Sequence, residues 1–218
     1  MSKPVISALI VVGFLFFLIG MIFSHSFLLA GIIIMGIGIY LGVGPEGILT
    51  KEQVLDTWSM LIGGAQGRAN EILQNTEGSI KDSQAPSVTM ERKPISPGIV
   101  RGLLGTERDF LVVTDEARIK LKPYKVFLNA RNYGNNLDVS WYLTYKPSLL
   151  QSIASLLPFI NVISETLNDL DLFDQQDLRA YVTVAHHSMV GAVEKIMLSL
   201  NQDASKIDRK SKGFLGIS

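Results

Sequence analysis

A long stretch without charge near the start of the chain restricts what this segment can fold into. No Asp, Glu, Lys or Arg occurs between Lys3 and Glu46, and almost every residue in 5–23 and in 27–43 is apolar. As helices rising 1.5 Å per residue, these runs would measure about 29 and 26 Å, close to the hydrocarbon thickness of a bilayer. One helix over both runs would be about twice the length needed. The sequence therefore predicts a two-helix transmembrane hairpin.

A cleaved signal peptide is the main alternative for the first run. Its apolar stretch is too long for a signal-peptide core, and no A-x-A-like cleavage site follows it. The second run begins after only Ser24, His25 and Ser26. The hairpin explains both runs, so it is the preferred interpretation.

The few flanking charges predict the orientation of the hairpin. Lys3 precedes it, Lys51 and Arg68 follow it, and the connecting residues carry no charge. Basic residues favour the cytoplasmic side, so both termini and the soluble domain are predicted to be cytoplasmic. The absence of cysteine is consistent with that compartment. The expectation is an integral membrane protein with two spans.

Residues 44–85, between the hairpin anchor (1–43) and the predicted sheet, have the pattern of a helical stalk. Thr50 and Gln53 are spaced as in a capping box, and apolar residues follow at helical spacing to about residue 62. A second, more polar helix is predicted over about 66–82, with a thin apolar stripe.

Alternating apolar and polar residues predict about four β-strands in the soluble domain, residues 86–205. These strands lie in 88–91, 109–114, 124–130 and 139–145. Asn and Gly between the last two suit a hairpin loop over 132–136. A helix over 174–200 follows a charge-free segment, 147–164, which Pro158 splits and which we expect to pack in the core. The fold class is α+β: an antiparallel meander covered by C-terminal helices.

His186 and His187 are candidates for a catalytic base. Neighbouring helical residues point about 100° apart, so the pair cannot easily bind one metal ion. His186 falls beside the apolar stripe of its helix, which favours a hydrogen-bonded histidine at the boundary of the core.

Other motifs predict no metal site and no cofactor. The glycines at 98, 102 and 105 lack the G-x-G-x-x-G spacing, and Gly63-Gly64-Ala65-Gln66-Gly67-Arg68 opens a predicted helix without following a predicted strand. The acidic run 165–177 lacks the glycine and terminal glutamate of an EF-hand loop. The helix dipole explains acidic residues before a helix equally well.

Small residues in the second apolar run indicate close helix packing. Gly31, Gly38 and Gly42 are spaced to lie along one side of a helix, and Gly38 and Gly42 form a G-x-x-x-G pair. We expect them to pack the hairpin against itself. The alternative is an oligomer.

The C-terminal tail, 206–218, combines basic and apolar residues. Phe214, Leu215 and Ile217 follow a cluster of four basic residues. We expect them to dock on an edge or groove of the domain, with the basic cluster meeting the acidic run 165–177. Disorder and shallow insertion into an anionic membrane surface are the alternatives.

No motif identifies a chemistry. The predicted function is therefore a non-enzymatic, membrane-anchored binding or scaffold module with a cytoplasmic α+β domain. The alternatives are a membrane-associated enzyme acting on lipid or peptide through a histidine base, and an accessory subunit that assembles through the hairpin. The expected partners are the lipid bilayer and a protein or second copy. The zero net charge argues against nucleic acid.

Overall fold

The computed structural model describes residues 3–23, 25–43, 53–95, 107–146 and 170–213. The chain divides into two compact units. The described part of the first consists of helices α1 (Lys3–Phe23) and α2 (His25–Val43), and the second contains the α+β domain.

Helices α1 and α2 form a closely packed antiparallel pair, because glycines replace side chains where they meet. A Cβ added at Gly13 would lie 2.5 Å from the Met35 nitrogen, and one at Gly31 would lie 2.3 Å from the Phe17 nitrogen. The Phe16 and Phe27 rings contact each other near the connection, with centroids 5.9 Å apart. The backbones can approach this closely only without side chains at these glycines.

The prediction of a transmembrane hairpin is wrong. In the part of the chain that the structure describes, no helix is both long enough and apolar enough to cross a membrane. The expected multi-pass topology, with two spans and both termini cytoplasmic, is therefore not supported.

A five-stranded antiparallel sheet organises the second unit. The strands are β1 (Val54–Gly63), β2 (Val88–Ile95), β3 (Arg108–Asp115), β4 (Tyr124–Tyr133) and β5 (Asn136–Tyr145), and their order is β1-β5-β4-β3-β2. Strands β2 to β5 form the predicted meander, and β1 adds a fifth strand beside β5. The α+β class and the antiparallel sheet are confirmed, with one more strand than expected.

The first predicted stalk helix is in fact strand β1. Asp56, Trp58 and Ile62 are buried on one side of the strand, while Ser59 and Leu61 are exposed on the other. A register irregularity between Val54 and Asp56 shifts the alternation at the start. The second stalk helix is present as α3 (Ala69–Asp82), with Ile72, Leu73, Thr76 and Ile80 buried.

The helices α3 and α4 (Leu172–Ser199) cover one face of the sheet and enclose the main core. Tyr181 of α4 inserts its hydroxyl between two strands: it donates to the Val113 carbonyl of β3 and accepts from the Val126 amide of β4 at 3.1 Å.

Asp171 is the N-cap of α4, and its carboxylate and that of Asp174 form a reciprocal capping box. The loop between β4 and β5 has only two residues, Gly134 and Asn135, and the positive φ of 59° at Gly134 suits a tight hairpin turn. Segment 147–164, expected in the core, lies outside the described residues.

Candidate functional site at His186

His186 is almost fully buried, and both of its ring nitrogens are hydrogen-bonded. It lies in α4 with 1% of its surface exposed. The indole nitrogen Nε1 of Trp141 donates to Nδ1 of His186 at 2.9 Å, and Nε2 lies 2.8 Å from the Arg209 carbonyl oxygen. An indole nitrogen can only donate and a carbonyl oxygen can only accept. His186 is therefore the neutral tautomer with its proton on Nε2.

Three aromatic rings surround this imidazole. Trp58 and Trp141 meet it edge to face, with centroids 5.8 and 5.6 Å away, and the His187 ring lies 5.5 Å away. Burial among these rings lowers the pKa of His186, and the carbonyl of Arg209 opposes this effect by favouring the proton on Nε2.

Residues 207–213, here called the C-terminal strap, cover this histidine. The chain reverses after α4 at Asn201, where φ is 55°, and returns along the helix toward β1. Ile207 is buried, and the Asp208 carbonyl accepts from Nε1 of Trp58. Farther along, the Lys212 amide donates to the Thr57 carbonyl at 2.7 Å. Most of these contacts are made by backbone atoms of the strap, so they depend on the path of its backbone more than on its side chains.

Asp56 holds the far end of the strap. Its carboxylate is buried and accepts from the Thr57 amide at 2.7 Å and from the Ser211 hydroxyl at 3.0 Å. A Cβ added at Gly213 would lie 2.4 Å from the Cα of Asp56. The strap therefore needs a glycine where it passes Asp56.

The chain matches no protein-family model, no curated protein and no solved structure.

The geometry does not make either histidine a good catalytic base. A base must reach a substrate proton with an unprotonated nitrogen, and Nδ1 of His186 already accepts from Trp141. His187 is exposed, and its ring lies 5.5 Å from that of His186. Within the described residues, no group of three His, Cys, Asp or Glu side chains is arranged to hold a metal ion.

The acidic residues at the start of α4 pair with two basic residues of the β3–β4 connection. Lys120 lies 3.5 Å from Asp171 and 2.9 Å from Asp174, and Arg118 lies 3.1 Å from Asp177. The basic tail does not meet this run where it is described, since Arg209 pairs instead with Glu194 at 3.3 Å. Residues 165–169 of the run lie outside the described residues, so that part of the tail prediction stays a prediction. Phe214, Leu215 and Ile217 lie outside the described residues, and their docking remains a prediction.

The glycine-rich segment 63–68 does follow a strand, contrary to the expectation, and it leads from β1 into α3. The Gly67 amide already donates to Oδ1 of Asn132 at 2.9 Å, and the Arg68 guanidinium pairs with Glu71 at 2.8 Å. The nearest donors for a phosphate therefore have partners within the chain.

Gly31 and Gly38 lie where α1 and α2 meet. A Cβ at Gly38 would lie 2.6 Å from Cγ1 of Ile10. Nothing is described for the surroundings of Gly42. Gly36 is exposed and has no atom within 4 Å of the position of an added Cβ.

Sequence reasoning missed Asp56, Trp58 and Trp141 as parts of the site. They converge on His186 only through the pairing of β1 with β5 and the packing of α4. The available signal was the alternation of residues 56–62, which places Asp56 on the apolar side of a strand.

Proposed function

We propose that this chain is a non-enzymatic binding module that assembles through the outer surface of its helical hairpin. The observation that carries the proposal is the large apolar area exposed on α1 and α2. Twelve large apolar side chains there are between 39 and 66% exposed: Val11, Val12, Phe14, Leu15, Leu18, Ile19, Met21, Phe27, Leu29, Ile32, Ile33 and Ile37. Apolar patches of this kind mark interaction surfaces.

A second copy of the hairpin is the partner that this surface suits best. Between residues 11 and 37 it carries no Asp, Glu, Lys or Arg that could select a partner by electrostatic complementarity, so an equally apolar partner suits it. The chain carries such a surface itself, and the commonest homo-oligomers pair the same patch on two subunits. Gly36, with open space around it, would let a second helix approach α2 closely.

The buried histidine argues against an enzyme as the alternative. Both ring nitrogens of His186 are engaged, and the strap covers it. A binding module needs no free base, so this arrangement is compatible with the proposal.

The oligomeric state of the full chain in mild detergent, measured by light scattering, tests this proposal. We expect the wild-type protein to be a dimer or larger, and Ile33→Lys to dissociate it. Leu198→Lys is the matched control, because Leu198 is 59% exposed in α4 and Ile33 is 53% exposed in α2. It should behave as the wild type.

A monomeric wild-type chain, or an Ile33→Lys variant that remains associated, would contradict the proposal. Sedimentation with vesicles of zwitterionic lipid separates the other partner. A monomer that sediments with them would overturn self-association and make the lipid bilayer the partner.

A further inference from the structure

We infer that the C-terminal strap is an acid-released cover, held in place while His186 is neutral and displaced when this histidine binds a second proton. The inference is independent of the proposed hairpin assembly, because every contact that carries it lies within the α+β unit.

The argument begins with the hydrogen bond between Trp141 and His186. The second proton would bind at Nδ1, the atom that now accepts from the indole N–H at 2.9 Å. Two N–H groups would then face each other, and neither can accept. The imidazolium would lose this bond while remaining in a site with almost no access to water, where an unsolvated charge is costly.

The charged groups around His186 do not compensate for this loss. On its own helix it faces His187, and from the strap it faces Arg209, both of which oppose a positive charge. Asp56 of β1 favours the charge, but this carboxylate already accepts from Ser211 and Thr57. The Arg209 carbonyl also favours the protonated ring. Desolvation is the largest of these influences, and it lowers the pKa of His186.

The strap is the element that must move for the charged ring to reach water. Trp58 and Trp141 flank the imidazole, and residues 208 and 209 lie over Nε2. If the ring turns outward, it breaks its bond to the Arg209 carbonyl and pushes the strap from β1. Release would uncover the indole of Trp58, the carboxylate of Asp56 and the outer edge of β1.

The sign of the pH dependence follows from the direction of the pKa shift. Because the folded protein disfavours the protonated form, the attachment of the strap is fully present above the ordinary histidine pKa of 6.5. It is lost as the pH falls below that value through the lowered pKa of His186.

Two readouts on the full chain test the inference between pH 8 and pH 5. The chain has two tryptophans, and both contact His186, so tryptophan fluorescence, excited where tyrosine does not absorb, reports this site. Amide exchange at Lys212 reports the strap through its bond to Thr57. We expect a fluorescence transition below pH 6.5, accompanied by at least a tenfold gain in Lys212 exchange after correction for intrinsic pH dependence. Amides of α3 should keep their protection.

Two variants separate the role of His186 from that of its neighbour. His186→Gln can accept from Trp141 and donate to Arg209 at every pH, so both readouts should become flat. His187→Gln removes the adjacent histidine and should retain the transition. The inference fails if wild-type Lys212 exchange stays constant to pH 5, or if His186→Gln keeps the transition. It also fails if α3 loses its protection at the same pH as the strap, because that would be global unfolding.

Discussion

Trp58 and Trp141 lie directly opposite each other on strands β1 and β5, and both indoles pack against the same imidazole in a T-shaped arrangement. Each indole nitrogen has a different acceptor: that of Trp58 donates to the strap, and that of Trp141 donates to His186. The cross-strand pair thus joins the sheet, the last helix and the C-terminal segment at one point.

Replacing His186 should destabilise the domain strongly. His186→Ala leaves the Trp141 N–H and the Arg209 carbonyl without partners and opens a cavity, which should lower the free energy of unfolding by about 2–4 kcal/mol. His187→Ala, at an exposed neighbouring position, should cost less than about 0.5 kcal/mol. Urea denaturation at pH 8 compares the two, and equal losses would refute the importance of the His186 hydrogen bonds.

Removing the Tyr181 hydroxyl should weaken the connection between α4 and the sheet. Tyr181→Phe leaves the Val113 carbonyl and the Val126 amide without their present partner, since the hydroxyl lies between them. The expected cost is about 1–3 kcal/mol. Burial raises the pKa of Tyr181, so the hydroxyl stays protonated and the cost should not vary between pH 6 and pH 9. Denaturation across that range measures both points, and a neutral substitution would show that the two strands close the gap.

Gly213 should tolerate no side chain while the strap is attached. Gly213→Ala would place its Cβ against the backbone of Asp56, and relieving the overlap should cost about 1–3 kcal/mol or detach the strap. Gly78→Ala is the matched control, because Gly78 lies in α3 with no atom within 4 Å of an added Cβ. A better helix former there should stabilise the domain by about 0.5–1 kcal/mol. Unfolding midpoints and Lys212 exchange together distinguish the two variants; unchanged Lys212 exchange in Gly213→Ala would contradict the strap geometry.

A side chain at Gly31 should force the two hairpin helices apart. Its Cβ would overlap the backbone at Phe17, whereas a Cβ at Gly36 meets no atom within 4 Å. The chain has no cysteine, so spin labels can be placed through Val11→Cys and Ile37→Cys. The distance between labels, measured in protein diluted with unlabelled chains, should increase in Gly31→Leu and stay constant in Gly36→Leu. Equal distances in both variants would show that close glycine contact does not hold the pair.

The strands that could be predicted from the sequence are those with regular alternation. In β4 and β5, apolar residues such as Val126, Leu128, Val139 and Trp141 recur at every second position and face the helices, as expected. Strand β1 has the same period but conceals it, because Asp56 faces inward and Leu61 faces outward. As a result, the apolar residues of this segment recur at helical intervals, and only the pairing with β5 shows that the segment is a strand.

The site itself could be predicted only in part. The position of His186 beside the apolar stripe predicts a hydrogen-bonded histidine at the boundary of the core; the hydrogen bonds are present, but the residue is buried with 1% of its surface exposed. Its partners could not be found, because Trp141 is 45 positions away and the Arg209 contact is made by a backbone carbonyl. A backbone acceptor has no signature in the sequence. For the same reason, the sequence predicts docking by the apolar residues that follow the strap and gives no prediction for the backbone of the strap itself.

The order of the strands also determines when the sheet can be completed during synthesis. The first strand pairs with the last, so Trp58 cannot take its place in the sheet until Trp141, 83 positions later, has been synthesised. At 5–20 residues per second this interval is roughly 4–17 s. Throughout it, a nascent chain would present both edges of β1 without a strand beside them, and the strap that later covers one edge is made after all five strands. Chaperones that bind extended apolar segments would therefore have their longest opportunity at residues 54–63, and a slow codon between 63 and 136 would extend it.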